Sequence, residues 1–285
     1  MKGRFDGIDI HYNPEKFKLG FNAFYTGLLF KDTANISVSP KDIEDHDIDF
    51  NWTDFGNTYF APRRLTTSAY GEFPGYPRGL GQLYAGIMSQ FDLSNVIEEY
   101  HTHYLLLRHT LAIDVYDLNL AGAVELTNTT ADGVKPAFAF SSEAGWQTPA
   151  AITDRLSFGF DWASGAGKYT AAYFPITREA MSFVLGPAFS GIISFRVNYH
   201  VQVLPSFSTE LGSIYFLRTD ATSFSNSYLR SKSYSLGLEL NTGLLWVPFP
   251  ELSLSLNGGI FLPGSAWMDD APVLRRLTLG VLFSF

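Results

Sequence analysis

The chain has 285 residues, of which 46% are hydrophobic and 16% aromatic, with only 17% charged and a net charge of −8 from 20 Lys and Arg against 28 Asp and Glu. So few charges do not suit an ordinary soluble surface, which draws on about a quarter of all residues, and the acidic balance argues against nucleic acid as a partner. The absence of cysteine excludes disulfides and thiolate metal sites and fits an exported protein.

A spanning helix needs about eighteen unbroken apolar residues. The best stretch, 181–195, is interrupted by Gly186, Pro187, Ser190, Gly191 and Ser194, so a helical membrane protein is not expected. Met1-Lys2-Gly3-Arg4 leads into structured sequence without an apolar core of a secretory signal.

Period-two alternation runs through the chain instead. The first runs cover 4–12, 17–30, 64–73, 82–93 and 100–113. In 116–127, Tyr116, Leu118, Leu120, Val124 and Leu126 share a face, and 136–147 follows. In 155–163 the apolar set is Leu156, Phe158, Phe160 and Trp162. In 192–203, Ile193, Phe195, Val197, Tyr199, Val201 and Val203 oppose Ser194, Arg196, Asn198, His200 and Gln202. After 207–218 comes 234–246, where Tyr234, Leu236, Leu238, Leu240, Leu244 and Trp246 share a face broken only by Thr242. Then 252–262 carries Leu252, Leu254, Leu256, Ile260 and Leu262, and 274–285 carries Leu277, Leu279, Val281, Phe283 and Phe285. That is about thirteen strands of roughly ten residues, the length a tilted strand needs to cross a bilayer.

The connections alternate. Residues 13–16, 74–80, 114, 148–154, 204–206 and 247–250 make short turns rich in Pro and Asp, whereas 31–63, 94–99, 128–135, 164–191, 219–231 and 263–273 are mostly longer. Short turns on one rim and long loops on the other are the pattern of an outer-membrane barrel, with the short side in the periplasm. A soluble sandwich or lipocalin-like barrel would turn the apolar face inward, but thirteen strands of apolar side chains do not fit one lipocalin-size core. The expected fold is an all-β transmembrane antiparallel up-and-down β-barrel of about 12–14 strands in this chain, a single domain over 1–285.

Thr278, Gly280, Phe283 and Phe285 have the polar, glycine, aromatic, aromatic spacing that resembles the signal by which barrel assembly machinery recognises a last strand. With the C-terminus in the periplasm, an odd strand count leaves the N-terminus outside, whereas bacterial single-chain barrels have even numbers. The expectation is a chain starting partway through a longer barrel, lacking its signal and at least one strand; a missed or surplus strand is the alternative.

The stretches GLLFKDTA (27–34), TYFAPRR (58–64), FPIT (174–177), YFLRTD (215–220) and GGIFLPG (258–264) together resemble spirochaete outer-membrane barrels of porin-like type. The resemblance spans nearly the whole chain and implies a diderm outer membrane and a longer protein. It implies no active residues.

On the polar sides of the strands fall Glu72, Asp92, Glu125, Glu143, Asp161, Glu210 and Glu239, with Arg64, Arg155, Arg196, Arg218, Arg276 and His200. Of these, Glu72, Glu125, Glu143, Arg155, Asp161, Arg196, His200, Glu210, Glu239 and Arg276 are the expected pore lining, because facing acids and bases set a field that selects small polar solutes. The alternative, charges paired to fill a closed barrel, suits a narrower one.

Asp42, Glu44, Asp45, Asp47, Asp49 and Asp54 crowd the loop 31–63. They lack the glycine of an EF-hand loop and are expected to be a hydrated extracellular loop that folds into the mouth as a constriction. His101, His103 and His109 share one face of a strand; no nucleophile or acid is fixed beside them by spacing, so catalysis has no complete constellation, and a polar lumen or interface suffices for them. Tyr12, Phe91, Trp146, Tyr199, Trp246, Phe249 and Phe285 at strand ends are expected as interfacial girdles, although sugar-binding platforms also use aromatics.

The expected function is a porin-like channel in the bacterial outer membrane for passive diffusion of small hydrophilic solutes. No enzyme activity, cofactor or metal is expected, and the partners are outer-membrane lipid, the assembly machinery and the solutes themselves. A surface adhesin acting through long loops is the alternative, and a rim-located hydrolase a further one.

Overall fold

A computed structural model describes residues 6–31, 49–77, 79–93, 100–148, 153–175, 180–220, 229–230 and 233–284. The strands are β1 (Asp6–Tyr12), β2 (Lys18–Tyr25), β3 (Arg64–Pro74), β4 (Gly81–Asp92), β5 (Tyr100–Ile113), β6 (Tyr116–Thr129), β7 (Gly133–Gln147), β8 (Thr153–Ala163), β9 (Ile192–Leu204), β10 (Phe207–Arg218), β11 (Ser235–Phe249), β12 (Leu252–Pro263) and β13 (Leu274–Phe283). They form one sheet in sequence order. Each strand therefore hydrogen-bonds the next, in the antiparallel up-and-down arrangement that the alternation predicts. The only helical turns among the described residues are Trp52–Asp54 and a single-turn helix, α1 (Phe55–Thr58).

Side-chain parity sorts the sheet into two faces, and burial on them is the reverse of a soluble fold. On the apolar face of interior strands Ile87 is 60% exposed, Leu105 56%, Phe158 55% and Phe195 49%. On the polar face Thr66, Gln90, Glu125 and Glu239 are fully buried. An apolar face this exposed marks an interaction with another apolar phase, which removes the soluble sandwich and lipocalin alternatives.

The chain divides into two compact units, Met1–His109 with Ala121–Ala139 and Gly167–Glu179, and Thr110–Leu120 with Phe140–Ala166 and Ala180–Phe285. In the first, β1 to β4 pair in continuous register, from Tyr12↔Leu19 through Lys18↔Glu72 to Arg64↔Asp92. In the second, β8 to β13 pair in the same antiparallel way, with Arg155↔His200, Glu210↔His200, Ile214↔Glu239 and Gly259↔Arg276 as partners, and the register shifts at Phe207/Ser208, at Phe216/Leu217 and between Trp246 and Phe249.

Three elements depart from the alternation. The run 17–30 ends as a strand at Tyr25, because Thr26 and Leu29 close a turn through Leu29 N–H to Thr26 O at 2.9 Å; pairing resumes only as a bridge between Phe30 and Phe60. Strand β7 begins at Gly133, three residues before the expected start. Strand β11 is bulged: Phe216 faces Gly237 but Leu217 faces Ser235, so Leu236 is an extra residue. It leaves the exposed apolar face of Leu238 and Leu240 and is buried, while its carbonyl accepts Gly264 N–H at 2.7 Å and Trp267 Nε1–H at 2.6 Å. Gly237 sits at φ +137 with Leu262 O beside the position of any Cβ, a conformation open in practice only to glycine.

Replacing Gly237 by valine is expected to destabilise the folded sheet by about 2 kcal/mol or more, from left-handed backbone strain and the clash with Leu262 O. The measurement is the urea midpoint of the protein refolded into lipid vesicles; an unchanged midpoint contradicts the bulge.

Candidate functional site

The polar face of the second unit carries a belt of charge near the short turns. Arg155 on β8 donates from Nε and Nη2 to the two oxygens of Asp117 on β6, at 3.1 and 2.7 Å, and from Nη2 to Glu143 on β7 at 2.7 Å. A planar guanidinium gripping one carboxylate with two nitrogens while reaching a second is a geometry lysine cannot supply. His200 and Glu210, exposed on β9 and β10, continue the row through the pairings with Arg155 and with each other. Further toward the long loops, Asp161 accepts from Ser141 and Ser194, each at 2.7 Å, and lies 3.1 Å from Arg196 Nε.

The first unit holds Arg64 and Asp92 as a buried ion pair at 2.6 Å, at the long-loop ends of β3 and β4. At the opposite end of β3, Glu72 lies 3.4 Å from Lys18 on the neighbouring β2. In the second unit Arg218, also buried, is turned aside into a cap, donating to the carbonyls of Ser233 and Arg230.

The long connection between β8 and β9 comes back onto the polar face in both units, each time on a glutamate. In the first unit, Glu125 on β6 accepts Phe174 N–H at 2.8 Å and Thr127 Oγ1–H at 3.1 Å. Tyr104 on β5 donates to Phe174 O at 2.9 Å, and its ring meets Tyr173 edge to face. Burial first, then the Glu125 carboxylate, push the Tyr173 phenol up, so it stays neutral. In the second unit, Glu239 on β11 accepts four hydrogen bonds: Phe183 N–H and Val184 N–H on Oε1, at 2.9 and 3.0 Å, and Leu185 N–H and Ser182 Oγ–H on Oε2, at 2.9 and 2.8 Å. Arg276 on β13 donates to Phe183 O at 2.9 Å and lies 4.8 Å from that ring's centre. A buried carboxylate is tolerated only where its oxygens are satisfied, and the curl of residues 182–185 satisfies this one.

The ten expected lining residues all lie on the polar face, but they separate in burial. Glu72, Glu143, Arg155 and Arg196 are part-exposed and His200, Glu210 and Arg276 exposed, whereas Glu125, Asp161 and Glu239 are buried. Thr278 and Gly280 face Asn257 and Ser255 on the polar side of β13, and Phe283 is exposed on the other; Phe285 lies outside the described residues. So do Asp42, Glu44, Asp45 and Asp47, while Asp49 and Asp54 are exposed. The histidines share the apolar face with Leu105, Leu107 and Ile113, His103 Nδ1 standing 2.9 Å from Ser89 Oγ and His109 Nε2 3.2 Å from Tyr76 O. Sequence reasoning missed the return of the β8–β9 connection onto the strands at 173–174 and 182–185. Its signal was composition, because the 28 residues 164–191 carry only Lys168, Arg178 and Glu179 as charges, too few for a loop surrounded by water.

Replacing Glu239 by alanine removes the acceptor of three backbone N–H groups and a hydroxyl at once. The expected outcome is hydrogen exchange at the amides of 183–185 faster by about a hundredfold or more, with exchange in β9 and β10 unchanged. Retained protection there contradicts the anchoring role.

No protein-family model matches the chain, and no curated protein sequence matches it. Solved structures do. Pseudomonas aeruginosa OccK3 (OpdO) superimposes with a TM-score of 0.61 at 16% identity, covering 98% of this chain and 68% of that one. OccK11 (OpdR) of the same organism gives 0.60 at 14% identity, covering 99% and 71%. Its outer membrane protein OprD gives 0.56 at 14%, covering 98% and 68%. The thirteen-stranded sheet is thus the fold of these outer-membrane β-barrels.

Proposed function

We propose that the protein is a porin-like channel of a bacterial outer membrane, through which small hydrophilic solutes diffuse passively. The observation that carries this reading is the sorting of the two faces: half-exposed Ile87, Leu105, Phe158 and Phe195 on one side, part-exposed Glu72, Glu143, Arg155 and Arg196 on the other. A sheet of this kind meets hydrocarbon with the first and water with the second. The fold shared with OprD and the OccK proteins supports it. One of those neighbours, OccK2 (OpdF) from the same organism, was solved in complex with glucuronate, a small polar solute.

In this reading the thirteen strands belong to one barrel domain, and Glu72, Glu143, Arg155, Arg196, His200, Glu210 and Arg276 line its aqueous passage. Glu125, Asp161 and Glu239 act one layer behind, holding the β8–β9 connection and the flanking side chains in place. Thr278, Gly280, Phe283 and Phe285 are the signal read by the assembly machinery. The finer assignment to a spirochaete-type group rests on the sequence blocks 27–34, 58–64, 174–177, 215–220 and 258–264. Histidines that share a face with exposed leucines have little access to the water a hydrolase needs, which supports a channel without covalent chemistry.

The adhesin reading keeps one observation in its favour, the aromatic cluster of the β2–β3 connection, where Phe55 stacks on Tyr59, Phe50 meets Trp52 and Tyr59 edge to face, and Trp52 is 81% exposed.

Two measurements test the proposal. The refolded protein in a planar bilayer is expected to give ohmic current steps, and a folded protein without conductance removes the channel. Leu240→Arg, on the apolar face, is expected to cost about 2–4 kcal/mol of stability in vesicles, whereas Asn241→Arg, its neighbour on the polar face, is expected to cost far less; equal costs overturn the assignment of faces.

A further inference from the structure

On the polar face of the first unit, at its short-turn end, Gly20, Tyr70 and Gly86 stand in one cross-strand row on β2, β3 and β4. The Tyr70 ring lies flat on β2 at Gly20, where a methyl group would overlap its Cε1 and Cζ. The Tyr84 ring brings its hydroxyl and Cε1 edge to 3.0 and 3.3 Å from where a Cβ would stand at Gly86, and it stacks beside Tyr70, with centres 5.6 Å apart and planes 25° from parallel. The two phenol rings form a continuous strip along the wall, both part-exposed.

The rim of this strip is polar and of both signs. Lys18 Nζ stands 5.6 Å from the centre of the Tyr70 ring and 3.4 Å from Glu72. Gln82 Nε2 reaches Glu72 Oε2 at 3.5 Å, and the Tyr70 hydroxyl is 3.2 Å from His11 Nδ1, whose other ring nitrogen is 2.8 Å from Asp9. Donors and acceptors alternate round the edge, with one lysine against two carboxylates.

We infer that the Tyr70–Tyr84 strip with Lys18, Glu72, Gln82 and His11 is a binding subsite for neutral sugars in the pyranose form. A pyranose presents C–H bonds on one face and hydroxyls round its edge. The C–H face matches a flat aromatic strip, and hydroxyls, which donate and accept, match a rim holding both kinds of partner. The rim's excess of carboxylates disfavours an anionic solute. The seats at Gly20 and Gly86 fix where the rings lie, so the platform is preorganised. Covering bare glycine with a neighbouring aromatic also strengthens a strand; that role needs a ring over Gly20 but not the mixed rim, and it makes no demand on the outer face of Tyr84. The inference deepens the channel reading, since it names a solute class for the passage.

The test uses the full chain refolded in detergent micelles, with maltotriose and glucuronate as probes in isothermal titration, and the same sugars added to bilayer recordings. Maltotriose is expected to bind more tightly than glucuronate and to block the current transiently. Tyr84→Ala and Gly20→Ala, the second displacing the Tyr70 ring without removing an aromatic, are each expected to weaken maltotriose binding by about tenfold or more. Tyr70→Leu keeps Gly20 covered and serves where a variant fails to give the folded, heat-modifiable band. Maltotriose binding unaffected by these changes, absent from the wild type, or weaker than glucuronate binding overturns the subsite. Conductance without sugar binding overturns the subsite and leaves the channel standing; sugar binding that these variants abolish, in a protein without conductance, keeps the subsite and removes the channel.

Discussion

Everything in this protein depends on the ladder between neighbouring strands. A chain exposed to hydrocarbon cannot leave backbone N–H and C=O groups unpaired, because each costs several kcal/mol there, and an up-and-down sheet meets that demand with the shortest connections. Once the backbone is satisfied by the ladder, side chains are free to segregate by parity alone. One face can be entirely apolar and the other can collect arginine, glutamate and asparagine without any strand bearing an unfavourable residue. Where the ladder is disturbed, at Leu236 and Gly237, the bulge is bounded by specific acceptors and donors: the Leu236 carbonyl takes two hydrogen bonds from the β12–β13 connection.

The polar face uses its charges in two ways. Arg155 with Asp117 and Glu143 forms a part-exposed, bidentate group that stays in contact with water, as does Arg196 beside Asp161. Glu125 and Glu239 are instead buried anchors. Glu125 takes one backbone N–H from the β8–β9 connection and Glu239 three, so each carboxyl group holds chain in place. Four hydrogen bonds converging on the one carboxyl group of Glu239 seat a segment as apolar as 181–185 on a wall of strands. Arg276 finishes the second anchor from the neighbouring side, by its bond to Phe183 O and its place over that ring.

Aromatic residues likewise divide by face. On the apolar side, Phe17 meets both Tyr12 and Phe73 at the short-turn end, the position of an interfacial girdle. On the polar side at the same end, Tyr70 lies against Gly20 and Tyr84 stacks beside it next to Gly86, with hydrogen-bonding groups at their edge. Residue type is the same in both places; the parity of the position decides whether a ring faces lipid or solute.

Strand existence, order and facing were legible in the sequence, because period two is a local property: Ile193 to Val203 or Leu252 to Leu262 declares its two faces without reference to any other residue. Most observed ends fall within a few residues of the expected ones, and every charged residue assigned to the polar side lies there. The departures have physical causes that are not local. Leu236 changes sides because the pairing with β10 slips by one residue at Leu217, which the alternation of β11 alone does not reveal. The burial of Glu125 and Glu239 depends on a connection far away in the chain, Phe174 and Ser182 to Leu185, curling back to supply N–H donors. The Tyr70–Tyr84 strip depends on register, because only the pairing of β2, β3 and β4 sets Gly20 and Gly86 in line with Tyr70. Periodicity therefore determined which way each side chain points, while tertiary pairing and loop return decided which of the polar ones are covered, since hydrogen-bond partners separated by tens of residues meet only in the folded chain.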